Sequence, residues 1–302
     1  ETTNQNEVTA SSTACEYETQ MKLLVANRGE IARRVFRTAK KLDWTTVAIF
    51  AEPDFDAAFV DEADLSVCIG GAELAESYLN QDRILEHCRK LDITAVHPGY
   101  GFLSENADFA AAVIENGMIW VGPNPEVIAS MGSKIKARSI AESAGLPLIP
   151  GFADIDQKDD EALESAATQT GYPVLLKAAA GGGGKGIRIA NSSEEFPAAL
   201  TAARTEAKRS FSDDAIIVER YIQRPRHVEV QIMGDKKGNL LELGTRDCSI
   251  QRRYQKLMEE APAPNLPPDT EIGLRSAALA LGRSMSFAPN QGCKAREKQW
   301  LA

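Results

Sequence analysis

The sequence predicts an α/β fold built on a doubly wound parallel sheet, and three observations lead there. From Met21 onward, short apolar runs alternate with stretches of helical periodicity, the pattern left by successive βαβ units. The runs are short and wholly apolar, as strands buried in a sheet are. Asn27, His97 and Gly122 follow such runs directly, at the carboxyl ends of strands where ligands gather in these sheets.

The elements follow in order. "KLLVAN" reads as the first strand, and "GEIARRVFRTAKKLD" as a helix with Ile31, Val35, Ala39 and Leu42 on its apolar face. "TTVAIFAE" is the next strand. "SYLNQDRILEHCRKLD" is a helix that buries Ile84, Leu85, Cys88 and Leu91. The strands "ITAVHPG" and "MIWVGP" flank the helical "NADFAAAVIENG". Asn124 caps a helix with Pro125 in its first turn. Ser133 caps the next helix, and Gly145 stops it. "LPLIPG" reads as a hinge into a small α+β unit over 149–221. That unit has two helices, a glycine loop and the strand "AIIVERYI".

Composition narrows the function. A net charge of −9 disfavours a nucleic-acid partner, which needs a basic face. No apolar run approaches a membrane span. Five scattered cysteines without a CxxC, and only three histidines, leave few ligands for zinc and point to a reducing compartment. The expectation is cytoplasmic, with mitochondrion or plastid open for a eukaryotic source. No transit peptide is evident, because residues 1–20 hold four Glu and no Lys or Arg. That segment reads as a disordered leader.

"VLLKAAAGGGGKGIRIA" admits two readings. A glycine run can be a slack linker. Here both flanks are apolar and strand-like, which makes the run the tip of a hairpin within one domain. Each glycine costs roughly 0.5–1 kcal/mol of backbone entropy on ordering, and a plain turn needs fewer of them. Backbone N–H groups that close over phosphate account for the run better. Two familiar motifs fail. A Walker loop needs Gly at Ala179 and Ser or Thr at Gly186, and the dinucleotide fingerprint needs a helix where a strand follows. "RDCSIQRRYQK" is likewise open between a solvated edge strand and an anion-binding cluster. If extended, it sends Arg252, Tyr254 and Lys256 to one face and Gln251, Arg253 and Gln255 to the other.

Seven motifs then stand in one order: "ANRGEIA" (26–32), "HPGYGFLSEN" (97–106), "MGSK" (131–134), "YPVLLKAAAGGGGKG" (172–186), "PRHVEVQ" (225–231), "RDCSIQRRYQK" (246–256) and "EEAPAP" (259–264). On them the chain resembles the biotin carboxylase family of ATP-grasp ligases over about residues 21–287. The wording of "MGSK" and "AESYLNQDRIL" is most like the α subunits of acyl-CoA carboxylases. The resemblance implies a biotin carboxylase N-terminal domain over 21–121. It also implies an ATP-grasp core over 122–148 and 222–287, and a lid over 149–221. Residues 288–302 match nothing in the family.

The resemblance also implies roles. Lys134 and Lys177 contact ATP phosphates, and Gly183 and Gly184 lie in the lid loop. Glu219, Arg220, Tyr221 and Ile222 form the hinge that holds adenine and ribose. His227 and Gln251 line the nucleotide pocket. Lys256 holds bicarbonate. Tyr254 stands where the family commonly has a histidine near the phosphates. His97 is read as structural. The implied reaction joins bicarbonate to the γ-phosphate of ATP, and the resulting carboxyphosphate carboxylates biotin on a carrier domain. A carboxyltransferase subunit is the implied partner, and homodimers are common in the family. The family's acidic Mg2+ ligands, catalytic arginine and general-base glutamate lie beyond the point where the resemblance stops. The expected fold is therefore a truncated ATP-grasp core, inactive by itself. Two other readings remain: a non-catalytic ATP-binding or interaction module, and another ATP-grasp ligase.

Overall fold

A computed structural model of the chain describes residues 20–152, 158–180, 186–235, 237–252 and 255–285. It divides into two compact units, residues 1–99 and 100–302.

In the first unit the order is β1 (Lys22–Val25), α1 (Gly29–Lys41), β2 (Thr45–Ala51), α2 (Ala58–Glu62), β3 (Leu65–Gly70), α3 (Gln81–Lys90) and β4 (Ala95–His97). Strands β3, β2, β1 and β4 lie side by side in that order, each pair parallel. β1 and β2 are buried almost throughout, as parallel strands covered on both faces must be. α1 buries Ala32, Val35, Phe36 and Ala39. Its apolar face is thus rotated from the expected one, and Ile31 and Leu42 are only half-buried. α3 begins at Gln81 rather than Ser77, because the Asn80 side chain accepts from Arg83 N and sets the start there. Ile84, Leu85 and Cys88 are buried as expected; Leu91 ends the helix and is half-buried.

The end of β4 folds back on itself. Gly99 N donates to His97 Nδ1 at 2.9 Å. The buried Asn27 donates from Nδ2 to Pro98 O at 2.8 Å. Gly99 has φ +66°, and a Cβ there would lie 2.7 Å from Asn27 Nδ2, so only glycine fits. Burial, with a small contribution from Arg34, pushes the His97 imidazole down to about 4. His97 is the acceptor of its own turn, consistent with a structural role.

The second unit continues with α4 (Ala107–Glu115), β5 (Ile119–Trp120), α5 (Pro125–Gly132), α6 (Lys134–Ser143), β6 (Gly151–Phe152), α7 (Asp160–Thr170), β7 (Val174–Ala178), β8 (Arg188–Ala190), α8 (Phe196–Phe211), β9 (Ile216–Arg220), β10 (Val228–Gly234), β11 (Leu240–Arg252), β12 (Gln255–Glu260) and α9 (Pro268–Ser284). Asn106, Asn124 and Ser133 cap α4, α5 and α6 with their side chains. β6, β9, β7 and β8 form one antiparallel sheet in that order. Leu163, Leu176, Phe196, Leu200, Ile216 and Val218 pack between this sheet and α7 and α8. β7 and β8 pair antiparallel, Val174 opposite Ala190, as expected of strands that flank the glycine run. Gly183 and Gly184 lie outside the described residues.

β10, β11 and β12 form a second antiparallel sheet. α9 packs on it where Gly282 meets Leu240 and Ile232. Residues 246–256 are not one straight strand. Arg252 pairs with Gln255 and Gln251 with Lys256, so the chain reverses between β11 and β12. Residues opposite each other across an antiparallel pair share a face. Lys256 therefore sides with Gln251, and Arg252 with Gln255, which corrects the expected alternation. Arg253 and Tyr254 lie outside the described residues.

Candidate functional site

The first cluster grows from strand alternation. Val174, Leu176 and Ala178 of β7 are buried in the core, which turns Lys177 to the other face. On β9, Val218 pairs with Leu176 on the core side, so Glu219 faces the same way as Lys177. Glu219 sits opposite Leu175, on the diagonal from Lys177, and Lys177 Nζ donates to Glu219 Oε2 at 2.5 Å. Lys134, the first residue of α6, reaches the end of β7 and donates to Ala178 O at 2.8 Å. Burial and the charge of Lys177 lower the Lys134 ammonium, while Glu219 opposes the shift.

One helical turn on, Arg138 points the same way. It approaches Glu219 Oε1 at 3.7 Å and donates to Ile149 O and Gly151 O at 2.9 and 3.1 Å. Sequence reading missed Arg138. Its spacing from Lys134 was the signal available. Beyond β9's carboxylate, the Arg220 guanidinium donates to Thr170 O, Tyr221 N donates to Pro173 O at 3.0 Å, and Ile222 is exposed.

The second cluster lies on the β10–β12 sheet. Glu229 is opposite Arg246 and accepts from its Nε at 2.6 Å. Lys256 Nζ donates to the other Glu229 oxygen at 2.7 Å and lies 3.2 Å from Glu259 Oε1. Burial pushes the Glu229 carboxyl up, but the hydrogen bonds from Lys256 and Arg246 outweigh it and hold the group low. Glu229 in turn raises the Lys256 ammonium against burial. Gln251 Nε2 lies 2.7 Å from His227 Nδ1 and donates to Cys248 O at 2.8 Å. The structure thus brings His227, Gln251 and Lys256 onto one sheet. It also pairs Arg246 and Lys256 of the expected cation cluster with Glu229, and Lys256 with Glu259, partners that no run of consecutive residues reveals.

Glu229, Cys248 and Glu259 bring their ligand atoms within 4.8 Å of one another. This trio does not fit Mg2+. That ion wants oxygen ligands alone, whereas here one donor is a thiol and the Lys256 ammonium already bridges both carboxylates. Among the described residues, no helix is long and apolar enough to cross a membrane.

Comparison with known proteins places these clusters in context. The family model of the carbamoyl-phosphate synthase L chain ATP-binding domain matches residues 133–293, past the Phe287 at which the motif-level resemblance stops. That of the biotin carboxylase N-terminal domain matches residues 19–128. The rat mitochondrial methylcrotonoyl-CoA carboxylase subunit alpha is 46% identical over 266 residues, which cover 88% of this chain and 37% of that protein. The mouse mitochondrial propionyl-CoA carboxylase alpha chain is 45% identical over 285 residues, 93% of this chain and 39% of that one. The chain therefore spans about two fifths of the length of the curated relatives it matches. The biotin carboxylase domain of Hydrogenobacter thermophilus 2-oxoglutarate carboxylase, solved with MgADP, ADP and bicarbonate, superposes with a TM-score of 0.83 at 44% identity. That match covers 88% of this chain and 59% of that one. With an ATP-binding model over more than half of its length and the biotin carboxylase N-terminal model over the region before it, the chain belongs to the biotin carboxylase family of ATP-grasp ligases.

Proposed function

We propose that this chain provides the nucleotide- and bicarbonate-binding part of a biotin carboxylase that works within an acyl-CoA carboxylase. ATP and bicarbonate would form carboxyphosphate, which carboxylates biotin on a carrier domain; a carboxyltransferase subunit would use the product. The observation that carries the reading is the convergence of Lys134, Lys177 and Arg138 at the end of β7, next to the glycine run. Phosphoryl transfer depends mainly on positioning and charge stabilisation, and cations held on β7 and α6 provide both.

In this reading Lys134 and Lys177 bind phosphates and Gly183 and Gly184 close over them. Residues 219–222 hold adenine and ribose, and His227, Gln251 and Tyr254 line the pocket. Lys256 binds bicarbonate from the β12 side, oriented by Glu229. Residues 21–121 form the N-terminal domain, 122–148 and 222–287 the ATP-grasp core, and 149–221 the lid. Mg2+, which bridges phosphates in such reactions, finds no fitting ligand set among the described residues. Cys68, Cys88 and Cys248 are free thiols, which supports a reducing compartment, cytosolic or organellar.

The test is ADP release by a full-length polypeptide that contains these residues, with bicarbonate and free biotin each omitted in turn. Dependence on both is expected. Release driven by ammonia instead would replace this reading with another ATP-grasp ligase. Residues 1–302 in isolation are expected to bind ATP without biotin-dependent turnover. Such turnover by the purified chain would contradict that expectation. ATP binding without turnover in the full-length polypeptide would favour a non-catalytic module.

A further inference from the structure

We infer that the Glu219 carboxylate is a resident counterion in the phosphate site: it holds the site's cations together in the empty protein and competes with phosphate for them. The inference rests on the nucleotide-site reading above and adds a role for a side chain so far assigned only to the adenine and ribose hinge.

Three cations from two elements surround Glu219. Lys177 of β7 donates to one carboxylate oxygen at 2.5 Å, and Arg138 of α6 faces the other at 3.7 Å. The ammonium of Lys134, also on α6, feels the charges of both Lys177 and Glu219. The side chains are largely withdrawn from water, Glu219 being 12% exposed, Arg138 17% and Lys177 22%. Like charges that share so dry a space repel more strongly than they would in bulk water. A carboxylate between them relieves that repulsion. It cannot drift away, because β9 lies between β6 and β7 and Glu219 has a register partner on each side, Gly151 and Leu175.

The same carboxylate opposes a ligand that carries negative charge to Lys134 and Lys177. An arriving polyphosphate must share or take over the Lys177 ammonium, and it meets the Glu219 charge at close range. Glu219 thus stabilises the empty site and weakens polyphosphate binding, the more so the more charge the ligand brings.

The experiment compares the 302-residue chain with Glu219→Gln, by calorimetric titration with ATP, ADP and AMP and by thermal unfolding without ligand. The variant is expected to unfold several degrees lower, since removal of one partner of a partly buried pair is costly. It is expected to bind ATP about tenfold more tightly, ADP less so, and AMP nearly as before, the size expected for one charge at close range in a partly screened site. A purely structural role would weaken all three nucleotides by one common factor, and that result overturns the inference, as does an unchanged affinity series. If Glu219→Gln does not fold, Glu219→Asp keeps the charge but draws it back from Lys177. The ATP-to-AMP affinity ratio should then rise by roughly threefold, and an unchanged ratio overturns the inference. A wild-type chain that binds none of the three removes the nucleotide-site reading itself, a distinct outcome that takes the inference with it.

Discussion

At the scale of single residues, burial of His97 at the end of β4 has a consequence in pH. Its imidazole sits near 4 against an ordinary 6.5, so the folded chain keeps it neutral where the unfolded chain takes up a proton. Between those values the unfolded state binds more protons, and stability falls as pH drops from about 6.5 towards 4. The contribution is about 3 kcal/mol. Urea midpoints across that window should show the slope, and His97→Asn should flatten it. The second residue-scale prediction concerns Glu229, which Arg246 and Lys256 share. Glu229→Gln should cost about 1–2 kcal/mol and move the Lys256 ammonium back down towards its ordinary value. Carbon-13 NMR of methylated lysines would read that titration; an unmoved Lys256 would mean that Glu229 does not set its charge.

At the scale of elements, the contact of β6 with β9 depends on one glycine. A Cβ on Gly151 would lie 2.5 Å from Val218 O and 2.9 Å from Glu219 Cα, and backbone atoms cannot step aside as a flexible side chain can. Gly151→Ala should therefore destabilise the lid sheet by about 2–3 kcal/mol. Faster hydrogen exchange should be seen in β9 and an unchanged rate in β1 and β2. The caps Asn124 and Ser133 and the strand "VLLKA" were legible in the sequence, whereas the start of α3 set by Asn80 was not. β3 was not legible. It is an edge strand with largely exposed residues, and its apolar Leu65, Val67 and Ile69 were not read as a strand. The reversal between Arg252 and Gln255 was also hidden, since the sequence "RRYQ" offers none of the usual turn residues. Lys134 and Lys177 could be read from their motifs. Arg138, Glu229 and Glu259 could not, because cross-strand register and the packing of α6, rather than sequence neighbours, bring them to their partners.

At the scale of the molecule, the 302 residues span about two fifths of their curated relatives, and the second unit carries apolar side chains in water. Leu241 and Leu243 of β11 are 63% and 54% exposed, and Leu257 and Met258 of β12 are 65% and 58% exposed. Exposed apolar side chains of this kind promote association. The isolated chain should bind a hydrophobic dye. Leu241→Lys with Leu243→Lys should reduce that binding and raise solubility with little loss of thermal midpoint, because neither residue is packed in the core.

The cations at the end of β7 are proposed to hold nucleotide phosphates, and calorimetric titration of the chain with ATP, beside Lys177→Met, tests that role. Saturable single-site binding is expected, weakened by Lys177→Met about tenfold or more, the loss expected for a charge-assisted contact to phosphate. No binding, or equal affinity in the two proteins, would contradict it.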